Sequence, residues 1–284
     1  MKIVECPRDA MQGIKQFIPS ELKATYINSL LKVGFDTIDF GSFVSPKAIP
    51  QLVDTAEVLN QLDLSTTKSN LLAIVANQRG AIDACHFEEI NYLGFPFSIS
   101  ETFQQRNANS SILESLVRVE EIQNLCIQHN KELVVYISMA FGNPYGDIWN
   151  SDIVINWTKK LSDLGIKIIA LSDTIGVSNP DNINYLFSNI IPEFKNLEIG
   201  AHLHSTKDKA SEKIDAAYKS GCKRFDVAIH GFGGCPMAAD DLTGNLATED
   251  LETYFIKNKI NINLNVEFLR ESYESSWTIF NNYH

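Results

Sequence analysis

The sequence predicts an eight-stranded parallel β/α barrel, and three observations support this fold class. Strand-like and helix-like segments alternate along the whole chain of 284 residues. The strand-like segments are rich in Ile, Val, Leu and Phe and mostly lack a strict polar alternation, which is typical of parallel strands buried on both faces. Eight such units in regular succession favour closure into a (β/α)8 TIM barrel over an open doubly wound sheet.

The strands are predicted from short apolar runs that are bounded by polar or turn-forming residues. In chain order their ranges are 2–6, 35–40, 70–76, 92–99, 132–139, 166–172, 197–203 and 224–229. In a barrel of this kind the carboxyl ends of all strands lie at one face, and that face carries the active site. Catalytic and binding residues are therefore expected in the segments that follow each strand.

Amphipathic segments with recognisable ends lie between the strands. Ser20 begins the first of them after Pro19, and Gly34 ends it. Apolar spacing predicts further helices over 112–126, 153–164, 179–190 and 207–220. A tail at about 262–281 carries apolar residues at helical spacing and predicts an additional C-terminal helix. We interpret residues 1–284 as a single catalytic barrel domain with this helical extension.

The composition predicts a globular protein with a large core, because 44% of the residues are hydrophobic and 21% are charged. A formal net charge of −11 and the lack of a clustered basic face argue against nucleic-acid binding, so an anionic substrate would need local cations. No run of about 18 apolar residues predicts a membrane span. Five cysteines without paired spacing favour free thiols in a reducing compartment. Because the first strand begins at Lys2, we expect no leader peptide and a cytoplasmic location.

Two segments near the C-terminus carry the clearest chemical signal. His202 and His204 are one residue apart in a predicted strand, so both imidazoles point to the same side and suit a metal site. The second segment is the glycine-rich loop Gly231-Phe232-Gly233-Gly234-Cys235-Pro236, whose small residues leave the thiol room to be exposed. Each pattern alone also fits an ordinary strand end or a tight turn. Their combination favours chemistry that uses a metal and a mobile thiol.

Further polar residues follow other predicted strands. Arg8 and Asp9 follow the first strand, Asp39 lies in the second and Asp173 follows the sixth. Asn245 lies in the loop after the eighth strand. Together with the two histidines, Asp9 and Asn245 would offer a cation two nitrogens and two oxygens, which suits Mg²⁺ or Mn²⁺ better than a structural Zn²⁺, although Zn²⁺ stays an alternative. Taken alone, Asp9 also suits a helix cap or an ion-pair partner of Arg8.

These segments resemble the 3-hydroxy-3-methylglutaryl-CoA (HMG-CoA) lyases, which belong to a larger group of metal-dependent lyase and condensing-enzyme barrels (the DRE-TIM metallolyases). The resemblance runs from residue 3 to residue 250. The matching segments are Pro7-Arg8-Asp9, Ser42-Phe43-Val44-Ser45-Pro46-Lys47, Ser172-Asp173-Thr174-Ile175-Gly176, His202-Leu203-His204, Gly233-Gly234-Cys235-Pro236 and 244–250. The second segment and the cysteine loop distinguish the lyases from their condensing relatives.

The resemblance implies a retro-Claisen cleavage of HMG-CoA, a CoA thioester, to acetoacetate and acetyl-CoA. It implies that Arg8 stabilises the thioester enolate and that Cys235 serves as an acid/base on a mobile loop. The hydroxyl base stays open between Asp9 and His204. The catalytic residues it implies are Arg8, Asp9, Asp39, Asp173, His202 and Cys235.

The resemblance also implies how cofactor, substrate and partner are bound. The implied metal ligands are Asp9, His202, His204 and Asn245. Lys15 and Asn107 match positions near the CoA moiety, and Lys15 would supply one local cation in an acidic chain. We expect a homodimer that binds no nucleic acid and no membrane.

Two positions depart from the family pattern. Asp39 stands where the family has a glutamate, and Ser205 stands where an aspartate usually follows the histidine pair. Aspartate is one methylene shorter, and a misplacement of about 1 Å can cost about 100-fold in rate. A related lyase for another 3-hydroxyacyl-CoA is therefore one alternative. A non-catalytic barrel that binds CoA or metal is another, although the presence of both Arg8 and Cys235 argues against it.

Overall fold

A computed structural model describes residues 1–234 and 243–283 and contains a closed barrel of parallel strands. Neighbouring strands pair in chain order, and β1 closes the barrel on β8. The prediction of the fold class is confirmed, since every predicted strand is present. The strands are β1 Lys2–Glu5, β2 Thr37–Ser42, β3 Asn70–Ile74, β4 Ile90–Ser98, β5 Glu132–Ser138, β6 Ile168–Ser172, β7 Glu198–His202 and β8 Arg224–Val227.

Helices surround the barrel, and every helix that the apolar spacing predicted is found. The first of them, α1, directly follows β1 because Pro7 occupies its first turn, where the missing N–H is not needed. Arg8 and Asp9 therefore lie in a short helix. The helices are α1 Pro7–Gln12, α2 Ser20–Leu31, α3 Thr55–Leu59, α4 Gln78–Cys85, α5 Glu101–Ala108, α6 Ile112–Gln128, α7 Ser151–Asp163, α8 Pro180–Glu193, α9 Lys207–Lys219, α10 Thr248–Lys257 and α11 Val266–Phe280.

Most predicted strand ends differ from the structure by one or two residues, and two of these differences lie beside the predicted site. Strand β2 continues to Ser42, beyond the predicted residue 40, because its pairing with β3 resumes after a register shift between Asp39 and Gly41. This shift is a β-bulge, which changes the direction of neighbouring side chains. Strand β8 ends at Val227, before the predicted residue 229, because a 3-10 turn begins at Ile229. Both differences lie at the carboxyl face, where the predicted site residues are found.

The C-terminal helix α11 begins at Val266, later than the predicted residue 262, because the Asn265 side chain caps it by accepting from two backbone N–H groups. It packs on α2 and on the segment that follows β8. In the second contact, Trp277 stacks on His230 with ring centroids 4.1 Å apart, and Phe280 stacks on Phe232 at 4.3 Å. Among the described residues, no helix combines the length and apolar character needed to cross a bilayer.

The core lies between the strands and the helices and is built mainly from aliphatic and aromatic side chains. Inside the strands, however, four charged side chains are fully buried: Glu5, Asp39, Arg224 and Asp226. Burying a charge is costly unless a partner compensates it. These residues therefore show where apolar packing gives way to a polar site within the barrel.

Candidate active site

The four predicted metal ligands lie together at the carboxyl face of the barrel. The ligand atoms of Asp9, His202 and His204 are all within 4.8 Å of one another. Asn245 joins this cluster because its Nδ2 donates a hydrogen bond to Asp9 Oδ2 at 2.7 Å. Residues from α1, from the end of β7 and from the segment before α10 are thus brought to one point. The structure supports the grouping that the spacing predicted.

The protonation states of two members of the cluster, Asp9 and His204, suit a divalent cation. Burial lowers the pKa of His204 to about 4, so its imidazole is neutral at neutral pH. Burial alone would raise the pKa of Asp9, but the charge of Arg8, together with the two histidines and the hydrogen bond from Asn245, outweighs it, and the net shift is downward. Asp9 is therefore a carboxylate. His204 Nδ1 is buried without a hydrogen-bond partner among the described residues, so this imidazole has capacity for a further interaction.

Backbone contacts hold Asn245 beside the histidines. Asn245 and His204 form an isolated antiparallel bridge, and Asn245 Nδ2 also donates to the carbonyl of Phe232 at 2.8 Å. Because the amide nitrogen has two acceptors, Oδ1 is the atom left for a cation. Gly233 permits this packing, since its φ is +93° and a Cβ there would lie 2.6 Å from the Asp9 carbonyl oxygen.

Arg8 joins the metal-ligand cluster to β2. Its Nε and Nη2 form a fork on Asp39, with distances of 3.0 Å and 2.6 Å to Oδ2. Its Nη1 donates to Asp9 Oδ1 at 3.1 Å and to Gln12 Oε1 at 2.8 Å. The ion pair between Arg8 and Asp9 that the sequence left open is therefore present, beside the grouping with the histidines. Charge-assisted contacts of this kind fix the orientation of the guanidinium.

Asp39 reaches Arg8 although its side chain is short. The β-bulge that follows Asp39 alters the local direction of the strand, and the carboxylate is buried against the guanidinium. Burial raises the pKa of Asp39 to about 6, with the nearby Asp9 and Asp226 carboxylates adding to the rise and Arg8 opposing it. At neutral pH Asp39 is still ionised, which matches the fork that it accepts.

Asp173 lies at the same face but has different partners. Its Oδ2 accepts from Lys213 Nζ at 3.0 Å and from the hydroxyl of Ser178 at 2.5 Å. Lys213 also donates to the carbonyl of His204 at 2.7 Å. Asp173 is thus connected to the metal-ligand cluster through Lys213 and the backbone of His204. The catalytic role that the sequence predicts for Asp173 stays a prediction.

Lys15 lies on an exposed bend after α1. The buried side chain of Gln51 holds this bend: its Oε1 accepts from the N–H of Ile18, and its Nε2 donates to the carbonyls of Ile14 and Gln16, each at 2.9 Å. The backbone around Lys15 is therefore fixed, while the exposed lysine can meet an anion from solvent.

The two remaining predicted residues are less closely tied to the cluster. Asn107 is exposed in the last turn of α5. Cys235 lies outside the described residues, so its predicted role is not tested. The four described cysteines are free and buried: Cys6, Cys85, Cys126 and Cys222.

Sequence reasoning missed Asp226, which contacts a predicted ligand. Its Oδ2 lies 3.3 Å from His202 Nδ1. Burial lowers the pKa of His202, but the hydrogen bond and charge of Asp226 outweigh it, and the net shift is upward. A signal was present, because Arg224 and Asp226 place two charges at a spacing of two within an otherwise apolar strand. Such a pattern directs both charges to one face of the strand.

Comparison with known proteins supports a common origin over nearly the whole chain. The family model described as HMGL-like matches residues 2–274. The chain is 34% identical to hydroxymethylglutaryl-CoA lyase YngG of Bacillus subtilis over 263 residues, which cover 93% of this chain and 87% of the relative. It is also 34% identical to the mitochondrial hydroxymethylglutaryl-CoA lyase of Bos taurus over 275 residues, covering 96% and 83% of the two chains.

Solved structures give the same result. The Bacillus subtilis HMG-CoA lyase superposes with a TM-score of 0.91 at 32% identity, covering 98% of this chain and 92% of the other. An HMG-CoA lyase from Acinetobacter baumannii, in complex with coenzyme A and 3-methylmalate, superposes with a TM-score of 0.90 at 29% identity, covering 98% and 90%. This protein therefore belongs to the HMGL-like family.

Proposed function

We propose that this protein is a carbon–carbon lyase that cleaves HMG-CoA to acetoacetate and acetyl-CoA. The observation that carries the proposal is the convergence of Asp9, His202 and His204 with the Arg8 guanidinium at the carboxyl face of the barrel. Relatives with this function match more than nine-tenths of the chain. A lyase of this type needs a group that binds the substrate oxygens and a cation that meets negative charge on the thioester, and the site offers both.

Asp9, His202, His204 and Asn245 are the residues that would hold a divalent cation, and we propose Mg²⁺ or Mn²⁺, with Zn²⁺ as the alternative. When bound, the cation would supply Lewis-acid chemistry, which lowers the pKa of the tertiary hydroxyl of the substrate. The mixed nitrogen and oxygen donors suit these ions. Asn245 and Asp9 are already fixed by their mutual hydrogen bond, so little reorganisation is needed on loading.

The chain's own groups account for the proton and charge transfers. The hydroxyl proton passes to Asp9, which is ionised, or to His204, whose neutral imidazole can accept it. The bond between the hydroxyl-bearing carbon and the α-carbon of the thioester then breaks, and its electron pair forms a thioester enolate. Arg8 stabilises the charge on the enolate oxygen. Cys235 is proposed to protonate the α-carbon, which yields acetyl-CoA.

An HMG-CoA substrate is favoured over another 3-hydroxyacyl-CoA by the contact between Asp39 and Arg8. The shorter carboxylate still forms a full fork on the guanidinium, so the departure from the family glutamate does not remove the pairing. We further propose that the whole chain acts as one catalytic unit. The homodimer and the cytoplasmic location stay predictions.

The direct test is the release of acetyl-CoA from HMG-CoA by the purified protein. After treatment with a chelator and dialysis, release should stop, and Mg²⁺ or Mn²⁺ should restore it. His204→Ala should lose cleavage at every concentration of cation. Full cleavage in a verified metal-free sample would contradict the metal requirement. Faster cleavage of 3-hydroxyglutaryl-CoA, which lacks the methyl group, would favour the alternative substrate.

A further inference from the structure

Charged side chains from β7 and β8 line the inside of the barrel next to the candidate metal site. Glu198 and His202 lie four residues apart in β7, and Arg224 and Asp226 lie two apart in β8, so each pair occupies one face of its strand. The strand register places His202 opposite Asp226 and Gly200 opposite Arg224. The side chains of Arg224 and Asp226 are both 0% exposed.

Asp226 lies between a guanidinium and a predicted metal ligand. Its Oδ2 is 3.3 Å from His202 Nδ1, and its Oδ1 is 3.7 Å from Arg224 Nε. Arg224 Nη1 in turn donates to Glu198 Oε1 at 3.0 Å. Gly200 makes room for this arrangement, since a Cβ there would lie 2.9 Å from Arg224 Cδ. The strands are therefore adapted to hold a buried carboxylate next to the histidine.

The contact with Asp226 decides which nitrogen of His202 carries the proton. A carboxylate only accepts hydrogen bonds, so Nδ1 must be the donor, and the lone pair is left on Nε2. An outer carboxylate of this kind fixes both the tautomer and the ring orientation of a ligand histidine.

We propose that Asp226 is a positioning residue for the metal site, which presents His202 Nε2 to the cation held with Asp9 and His204. This inference rests on the proposed function in so far as that function requires a cation at this cluster. Arg224 contributes by compensating the buried negative charge of Asp226. The carboxylate can therefore remain ionised inside the barrel and accept a hydrogen bond from His202.

A second set of potential ligands shares the same histidine. Ligand atoms of Cys6, His202 and Asp226 also lie within 4.8 Å of one another, and there Asp226 would itself bind the cation. The geometry favours Asp9 and His204 as the partners of His202, because the Cys6 thiol of the second set donates to the carbonyl of Val4 at 3.7 Å and therefore carries its proton, whereas cysteine binds a metal as the thiolate. A Cys6 variant distinguishes the two sets.

The test measures Mn²⁺ binding to metal-free protein by titration calorimetry, without substrate. Asp226→Ala should bind Mn²⁺ 10- to 100-fold more weakly than the parent, which is about the usual effect of losing such an outer partner. Asp226→Asn should show a loss of about 10-fold, at the lower end of that range, because its amide oxygen still accepts from Nδ1 but carries no charge. Cys6→Ala is the matched control and should bind Mn²⁺ like the parent. Thermal unfolding of the metal-free variants separates folding from binding.

The outcomes are distinct. If Asp226→Ala does not fold, Asp226→Asn decides, because it keeps the shape of the side chain. A variant that unfolds at a lower temperature but binds Mn²⁺ like the parent would reduce Asp226 to a structural role and overturn the proposal. Weakened binding in Cys6→Ala would place the cation on the other set and overturn it as well. A parent protein that binds Mn²⁺ in an Asp226-dependent way but releases no acetyl-CoA would refute the proposed function alone.

Discussion

Replacing Arg8 by lysine tests the centre of the proposed mechanism, because it keeps the charge and changes only the donor geometry. A guanidinium has five N–H donors in a planar fork. In the structure Nε and one N–H of Nη2 are used by Asp39, and the two N–H groups of Nη1 are used by Asp9 and Gln12. The second N–H of Nη2 has no partner among the described residues. This donor is the one available to a thioester oxygen.

Lysine cannot reproduce this arrangement. Its ammonium group has three N–H donors on one nitrogen atom, so hydrogen bonds to Asp39 and Asp9 would compete with a hydrogen bond to the substrate. Losing one donor to a developing oxyanion costs about 2.7–4 kcal/mol, or about 100- to 1,000-fold in kcat. We expect Arg8→Lys to lose turnover by this amount, while the KM for HMG-CoA changes much less because the effect arises in the transition state.

The measurement is steady-state acetyl-CoA release with saturating Mg²⁺ or Mn²⁺. The matched control is Arg270→Lys, since Arg270 is exposed on α11, and it should behave like the parent. Thermal unfolding of both variants shows whether the buried network around residue 8 still folds. Turnover of a folded Arg8→Lys protein equal to that of the control would show that Arg8 supports the structure and does not stabilise the enolate.

Three further changes test other parts of the site. Asp39→Glu and Asp39→Ala should both lower turnover of HMG-CoA. The buried carboxylate already contacts Arg8 at 2.6 Å, so a longer side chain would displace the guanidinium and a shorter one would lose the contact. Higher turnover in Asp39→Glu would instead identify the aspartate as a degraded form of the family glutamate. Cys235→Ser should lose most cleavage of HMG-CoA but still bind Mn²⁺. If an alkylating reagent that inactivates the protein labels a different cysteine, Cys235 is not the reactive thiol. Burial raises the pKa of Glu5 from 4.5 to about 8. Between these two pH values the folded state holds a proton that the unfolded state has released, so the free energy of unfolding should fall as the pH rises through this interval. Urea unfolding of Glu5→Gln should show a flatter pH dependence, and an unchanged slope would contradict the assignment.

The sequence predicted the barrel because short apolar runs and amphipathic segments report directly on burial. The ligand group was predictable for a related reason: His202 and His204 share a strand face, and Asp9 follows a strand whose carboxyl end must lie at the same side of the barrel. These inferences need only local periodicity and one rule about strand ends. The structure confirms the barrel and brings Asp9, His202 and His204 together, while their role as metal ligands stays a prediction.

The remaining features depend on pairing between distant segments. The bulge after Asp39 arises from the register between β2 and β3, which no local pattern specifies. Lys213 meets Asp173 across 40 residues, so no local pattern indicated the buried ion pair that holds this carboxylate. Asp226 was counted as part of a strand, although a charge within an apolar run already indicated an inward-facing polar contact. That signal was available and was missed.

The hydrogen bond between Asn245 and Asp9 has a consequence for how the protein is made. It joins residues 236 positions apart, so the ribosome makes one part of the proposed cation site long before the other. A nascent chain that has not yet formed β7 carries Asp9 but neither histidine, and until β8 is made β1 presents an unpaired edge. The proposed cation site can therefore be complete only after β7 and the segment before α10 have been made, and a chain that stops before β8 would leave an edge of β1 exposed to pairing with other chains.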